Sequence, residues 1–103
     1  TAPELAALIA ESPDSAPVLL DVREPWEYQT CQIAGSVSIP MNTIPVQLEQ
    51  LDRDAHIVCV CHHGARSMRV AHFLEGNGFT QVTNLTGGIH AWAQQVDPAM
   101  PTY

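Results

Sequence analysis

The chain has 103 residues, 46% of them apolar and 15% charged, which suits one soluble domain that buries roughly two-thirds of its unfolded surface. No window approaches the roughly 18 uninterrupted apolar residues of a membrane span, so no membrane partner is expected. Eleven acidic residues stand against four arginines and no lysine, for a formal net charge of −7, a field that repels nucleic acid and anionic membranes at long range.

With such a balance, a small anionic substrate needs a local positive pocket, and only Arg23, Arg53, Arg66 and Arg69 can supply a side-chain cation. The three cysteines, Cys31, Cys59 and Cys61, are an odd number and do not form the dense framework of a small secreted scaffold. A reducing, cytoplasmic setting is the expectation. The chain opens on Thr1 rather than methionine, which leaves the removal of an upstream segment open. No repeat, low-complexity tract or linker divides residues 1–103, so one domain is expected.

In chain order, Pro3 to Ala10 places Leu5, Leu8 and Ile9 on one helical face, with Pro13 as its stop. PVLLDV (17–22) is an apolar run without alternation, as in a strand covered on both faces. A turn, a short helical piece over Trp26 to Thr30 and a second strand near Ser36 to Ile39 follow. Asn42 to Leu51 reads as a helix with Ile44, Leu48 and Leu51 in register and Pro45 in its first turn. HIVCVC (56–61) is the most strand-like segment and predicts a central strand. Ser67 to Glu75 carries Val70, Phe73 and Leu74 on one face and Arg69 and His72 on another, and stops at Gly76 and Gly78. QVTNL (81–85) gives a last strand, Gly87-Gly88 a turn, Ile89 to Gln95 a last helix, and DPAMPTY a loose tail. Strands alternating with helices predict an α/β fold with a mostly parallel central sheet flanked by helices on both faces.

Ligands of open parallel sheets bind beyond the carboxyl ends of strands, near helix N-termini, and Cys61 falls at such a place. The loop His62-His63-Gly64-Ala65 is short enough to turn several amides toward one point, Gly64 permits backbone angles other residues resist, and Arg66 adds a fixed charge. These features favour the thiolate, which is the nucleophilic form. Taken alone, the composition fits the alternative that Cys61 is a small buried hydrophobe; the combination of features argues for chemistry. Cys59, inside the strand, and Cys31, without a chemical partner at useful spacing, read as structural.

CHHGARS (61–67) resembles the active-site loop of rhodanese-family sulfurtransferases, and DVREPWEY, IAGSVSIP and NLTGGIHAW resemble the family's other signatures in the expected order, from about Val18 to Trp92. The resemblance implies a rhodanese-like fold and a ping-pong reaction without a dissociable cofactor. The residue matching Cys61 takes a sulfane sulfur from a donor such as thiosulfate and passes it from a persulfide to cyanide, a thiol or a sulfur-accepting protein. It further implies that the amides of His62, His63, Gly64, Ala65 and Arg66 hold the anionic outer sulfur, and that Arg66 orients the donor's sulfonate and stabilises sulfite. Ser67 donates to the thiolate or caps the helix. A relay module that only accepts and delivers a persulfide is the alternative from another class. The family's phosphatase branch has one more residue between cysteine and arginine than the four found here, so phosphatase or arsenate reductase chemistry is disfavoured. Many members carry Gly-His before the isoleucine of the second signature, a structural position; this chain has Cys31-Gln32.

Cys59, Cys61, His62 and His63 also invite a metal reading. Zinc sites usually pair ligands two to four residues apart from two segments, and adjacent histidines on a tight loop do not easily turn both rings to one ion, so no metal is expected. Protonated, His62 and His63 would help to bind an anionic donor, which predicts stronger activity at mildly acidic pH. The resemblance implies that Asp21 and Arg23 tie their loop to its neighbours; Trp26 and Trp92 are expected to act as packing anchors, and Arg69 to be exposed.

Overall fold

The computed structural model describes residues 2–11, 17–33 and 35–101; Pro13, the expected helix stop, lies outside them. The elements are α1 (Ala2–Glu11), β1 (Val18–Asp21), α2 (Pro25–Thr30), β2 (Val37–Ser38), α3 (Ile44–Gln47), β3 (Ile57–Val60), α4 (Ala65–Gly76), β4 (Val82–Asn84) and α5 (Gly88–Gln95). Among the described residues no helix is long and apolar enough to cross a membrane.

All of β3 is buried, and its side chains divide between two cores. Ile57, Cys59 and, just past the strand, Cys61 pack with Leu20 of β1 and with Val70, Ala71 and Leu74 of α4. Val58 and Val60 pack on the opposite face with Leu5 of α1 and with Ile89 and Trp92 of α5. A strand covered on both faces needs apolar residues at every position rather than at alternate ones, which is why HIVCVC shows no alternation.

The sheet is parallel throughout, in the order β2-β1-β3-β4. Register pairs Asp21 with Ser38 and with Val60, and Cys59 with Asn84, so the carboxyl ends of the strands form one edge. From β1 the chain moves outward to β2 and then crosses to the other side for β3. The resulting switch point, between β1 and β3, is where open parallel sheets form ligand crevices. Cys61 leaves β3 there.

At the neighbouring strand end Arg23 is fully buried. Its Nε donates to Asp21 Oδ1 at 2.9 Å and its Nη2 to Asp21 Oδ2 at 2.6 Å. Nη1 donates to the Glu27 carbonyl at 3.2 Å, and Nη2 also donates to the Cys31 carbonyl at 2.6 Å. A desolvated guanidinium is tolerable only when it is paired and hydrogen-bonded in this way. The contacts tie the middle and the C-terminal end of α2 to β1, in line with the tying role expected for Asp21 and Arg23.

Three expectations are corrected. Asn42 to Leu51 is not one helix: 3₁₀ turns at Met41–Thr43 and Leu48–Gln50 flank a short α3. Pro45 has no N–H to give to the Met41 carbonyl, so that carbonyl is taken by Ile44 N in a tighter turn. Trp26 is 60% exposed and Glu27 is the buried residue of α2, whereas Trp92 does pack in the core. The tail is not wholly loose, since Met100 packs against the α5-side core and donates its N–H to the Asp97 carbonyl.

Asp21→Ala leaves the Arg23 charge buried without its partner and is expected to cost about 3–5 kcal/mol. Adding Arg23→Met removes the stranded charge and should recover part of that loss. Urea denaturation of the two variants beside the parent measures both.

Candidate active site

Cys61 is 1% exposed, and its sulfur faces the start of α4. Gly64 N donates to Cys61 Sγ at 2.9 Å, and Ser67 Oγ lies 3.3 Å from the same sulfur. Gly64 is the N-cap of α4 with φ +111°, a conformation that glycine adopts without strain. It turns the loop back so that its own amide points at the sulfur three residues earlier. A sulfur at a helix N-terminus also meets the positive end of the helix dipole.

Ser67 lies in the first turn of α4 and makes no side-chain cap. Its hydroxyl touches Cys61 Sγ, the Gly64 carbonyl at 3.2 Å and Asn84 Oδ1 in a close contact. A hydroxyl has one proton to donate, so a thiolate competes with two oxygens for it. Asn84 Nδ2 also donates to the Gly64 carbonyl at 3.2 Å, which links the end of β4 to the loop.

Helix α5 supports the loop from the other side. Ile89 N donates to the Cys61 carbonyl at 2.8 Å and His90 N to the His62 carbonyl at 3.0 Å. The approach is so close that a Cβ on Gly88 would stand 2.3 Å from the Cys61 oxygen and 2.5 Å from the His62 oxygen. Gly88 also has φ +61°. Gly88 therefore sets the backbone separation that lets α5 dock on the loop.

Arg66 sits in the first turn of α4, where the helix dipole disfavours a cation. A carboxylate compensates: Arg66 Nη1 donates to Glu27 Oε1 at 2.6 Å and Nη2 to Oε2 at 2.8 Å, in a bidentate pair. Glu27 Oε1 also accepts the Glu24 amide at 3.0 Å within a capping box that starts α2. The Arg66 side chain is one-third exposed while Glu27 is buried. Arg69 is exposed as expected.

Burial, followed by the charge of Cys61, pushes the Cys59 thiol up to about 12. Cys59 is thus a neutral core thiol, and Cys31 is buried at 3.7 Å from Arg23 Nη1. The His62 imidazole is pushed below its ordinary range, by burial first and then by His63 and His90. This opposes the protonated rim expected of His62 at mildly acidic pH. Ala65 is exposed at the first position of α4.

Sequence reasoning brought Cys61, Gly64, Arg66 and Ser67 together because they are contiguous. It missed Glu27, Asn84 and His90, which reach the site from α2, β4 and α5. The only local signals were Glu27 three residues after Glu24, as in a capping box, and the position of Asn84 at a strand end.

The family model for the rhodanese-like domain matches residues 1–95. The chain belongs to the rhodanese-like domain family. A sulfurtransferase of Allochromatium vinosum is 36% identical over 77 residues, which are 75% of this chain and 72% of that protein. The thiosulfate sulfurtransferase GlpE of Pseudomonas syringae is 34% identical over 90 residues, 87% of this chain and 82% of that protein. A chloroplastic rhodanese-like/PpiC domain-containing protein 12 of Arabidopsis thaliana is 38% identical over 82% of this chain, but the match spans only 30% of that protein. A crystal structure of a rhodanese-related protein from Thermoplasma volcanium superposes with a TM-score of 0.78 at 33% identity, covering 88% of this chain and 89% of that one. The relatives support a rhodanese-type sulfur-transfer role for this rhodanese-like domain, on an α/β fold with a four-stranded parallel sheet.

Gly88→Ala is expected to break the docking of α5 on the loop, because the new Cβ meets backbone rather than a movable side chain. A cost above about 2 kcal/mol follows from the left-handed φ and the two displaced hydrogen bonds. Gly76→Ala, with open space around it, should be neutral or stabilising by up to about 1 kcal/mol. Thermal and urea unfolding of the two variants provide the comparison.

Proposed function

We propose that this domain transfers sulfane sulfur through a persulfide on Cys61. The observation that carries the reading is the placement of Cys61 Sγ at the N-terminus of α4, with the Gly64 amide on it at 2.9 Å and the Ser67 hydroxyl at 3.3 Å. Both groups are placed to donate to a thiolate at Cys61; in the persulfide Sγ stays bonded to its carbon and the charge moves to the outer sulfur attached to it. A donor such as thiosulfate loses its outer sulfur to the Cys61 thiolate: the new S–S bond forms as the sulfur–sulfite bond breaks, and sulfite leaves with the electron pair. Cyanide or a thiol then attacks the outer sulfur and returns Cys61 as thiolate.

On this reading His62, His63, Gly64 and Ala65 form the wall around the outer sulfur, and Arg66 serves the sulfonate. Arg66 is already held by Glu27, so an oxyanion shares or competes for the guanidinium. This makes thiosulfate a donor that works against the Glu27 carboxylate, and it favours the related reading in which a thiol-borne persulfide from a partner protein is the better donor. The name of the Pseudomonas relative, a thiosulfate sulfurtransferase, supports thiosulfate as the first donor to test. Four residues between Cys61 and Arg66 leave a smaller ring than phosphate chemistry needs in the related branch.

Intact-mass analysis after thiosulfate treatment is expected to show a gain of one sulfur in the parent and in Cys59→Ala, and none in Cys61→Ser. Thiocyanate formation on addition of cyanide should follow the same pattern. Mass gain with negligible turnover would favour the relay module, and no gain from thiosulfate or from a protein persulfide would overturn sulfur transfer.

The Arg66–Glu27 pair gives a second test. Arg66→Ala should lower kcat/KM for thiosulfate by about 10²-fold, the usual loss for one charge-stabilising donor. Glu27→Gln, which frees the guanidinium from its counter-charge, should raise kcat/KM for thiosulfate through a lower KM. Steady-state kinetics on both variants decides whether Arg66 meets the donor at all.

A further inference from the structure

His62 and His63 open the loop after Cys61, and His90 lies in the first turn of α5. The hydrogen bond from His90 N to the His62 carbonyl, at 3.0 Å, fixes the two backbones against each other. The rings gather as a result. Centroids are 4.1 Å apart for His62 and His63, 4.9 Å for His63 and His90, and 5.8 Å for His62 and His90. One ligating nitrogen from each lies within 4.8 Å of the other two.

We propose that His62, His63 and His90 form a binding site for a divalent transition-metal ion of the zinc(II) type, with three imidazole ligands and a coordination position left open. The proposal uses the rings of His62 and His63, which the sulfur-transfer reading sets in the wall of its pocket, but it does not require that reading. Nitrogens on one tetrahedral zinc, at about 2.0–2.1 Å from the ion, lie about 3.3–3.4 Å from one another. Closing from 4.8 Å calls for ring rotations in side chains that are exposed (His63) or half-buried (His62, His90). An all-imidazole set suits zinc, copper or nickel, whereas magnesium and calcium demand oxygen ligands. The net charge of −7 draws cations toward the surface.

The ligands come from two segments, which answers the objection drawn from spacing alone: two adjacent histidines do not make a site, but a third on α5 faces both. The Cys61 sulfur is not needed. It is directed inward, onto the Gly64 amide and the Ser67 hydroxyl, on the α4 side of the sheet.

The test titrates the tag-free chain with cobalt(II) as a spectroscopic probe and then displaces it with zinc(II). The expected result is one cobalt per chain, with visible d–d absorption and no thiolate-to-cobalt charge-transfer band. Cys61→Ser should bind equally well. His90→Ala and His63→Ala should each weaken binding by more than about tenfold, since losing even an outer-sphere partner costs about 10–100-fold. Far-ultraviolet circular dichroism and thermal melts establish that the variants fold. If His90→Ala does not, His63→Ala, on an exposed side chain, carries the test. Failure to bind one ion per chain, binding unchanged in the folded histidine variants, or a thiolate band that disappears in Cys61→Ser would overturn the site.

Discussion

The docking of α5 on the cysteine loop is the constraint on which the rest of the site depends. Two backbone N–H groups at the start of α5 are spent on the carbonyls of Cys61 and His62. Those carbonyls stand where the chain leaves β3 for the loop, and holding them fixes the direction in which the loop departs. Gly88 makes the approach possible because any side chain there would collide with the same two oxygens. The N-terminus of α5 is therefore a structural clamp whose N–H groups serve the loop backbone. The N-terminus of α4, through Gly64, is the one presented to the sulfur.

A second chain of contacts positions the charge. The end of β1 holds Arg23 through Asp21, Arg23 holds α2 through the Glu27 and Cys31 carbonyls, and the Glu27 side chain then holds Arg66. Asp21, Arg23 and Glu27 are buried, and buried charges persist only when every donor finds an acceptor. Among the described residues no buried side-chain nitrogen or oxygen lacks a hydrogen-bond partner. An acidic sheet end thus places a basic residue at the site through a relay of two carboxylates and two guanidiniums. The motif DVREPWE supplies three of those four residues.

Much of this was legible in the sequence where the physics is local. The unbroken apolar run of β3, the glycine-containing loop and the helical pattern after it lie within twenty residues, and each element obeys its own propensity. Arg66 differs: its position was evident but its partner was not, because Glu27 is far away in sequence and its register with Trp26 on α2 is fixed by tertiary contacts. The exposure of Trp26 has the same origin, since a six-residue helix can bury only one side, and the capping box and Arg66 claim that side for Glu27. Asn42 to Leu51 differs because hydrophobic periodicity does not show where a regular helix starts and stops: Pro45 stands in the first turn of α3, which begins only at Ile44, and 3₁₀ turns flank it. The histidine cluster was illegible for the converse reason: spacing rules count ligands along the chain, and His90 joins its partners only when β4 brings α5 back across the sheet edge.

The electrostatics of the site follow from these placements. A net charge of −7 raises the work of bringing any anion to the surface, and the one arginine in the loop motif spends much of its charge on Glu27. What remains to stabilise negative charge at Cys61 is short-ranged: an amide at hydrogen-bond distance, a hydroxyl, and the first turn of α4. Such groups act strongly on an atom in contact with them and weakly on one a few ångströms away, because dipolar fields decay faster than those of charges. A site built this way discriminates by position rather than by total charge. It favours negative charge on an atom in direct contact with the Gly64 amide and the Ser67 hydroxyl over a diffuse oxyanion at the rim.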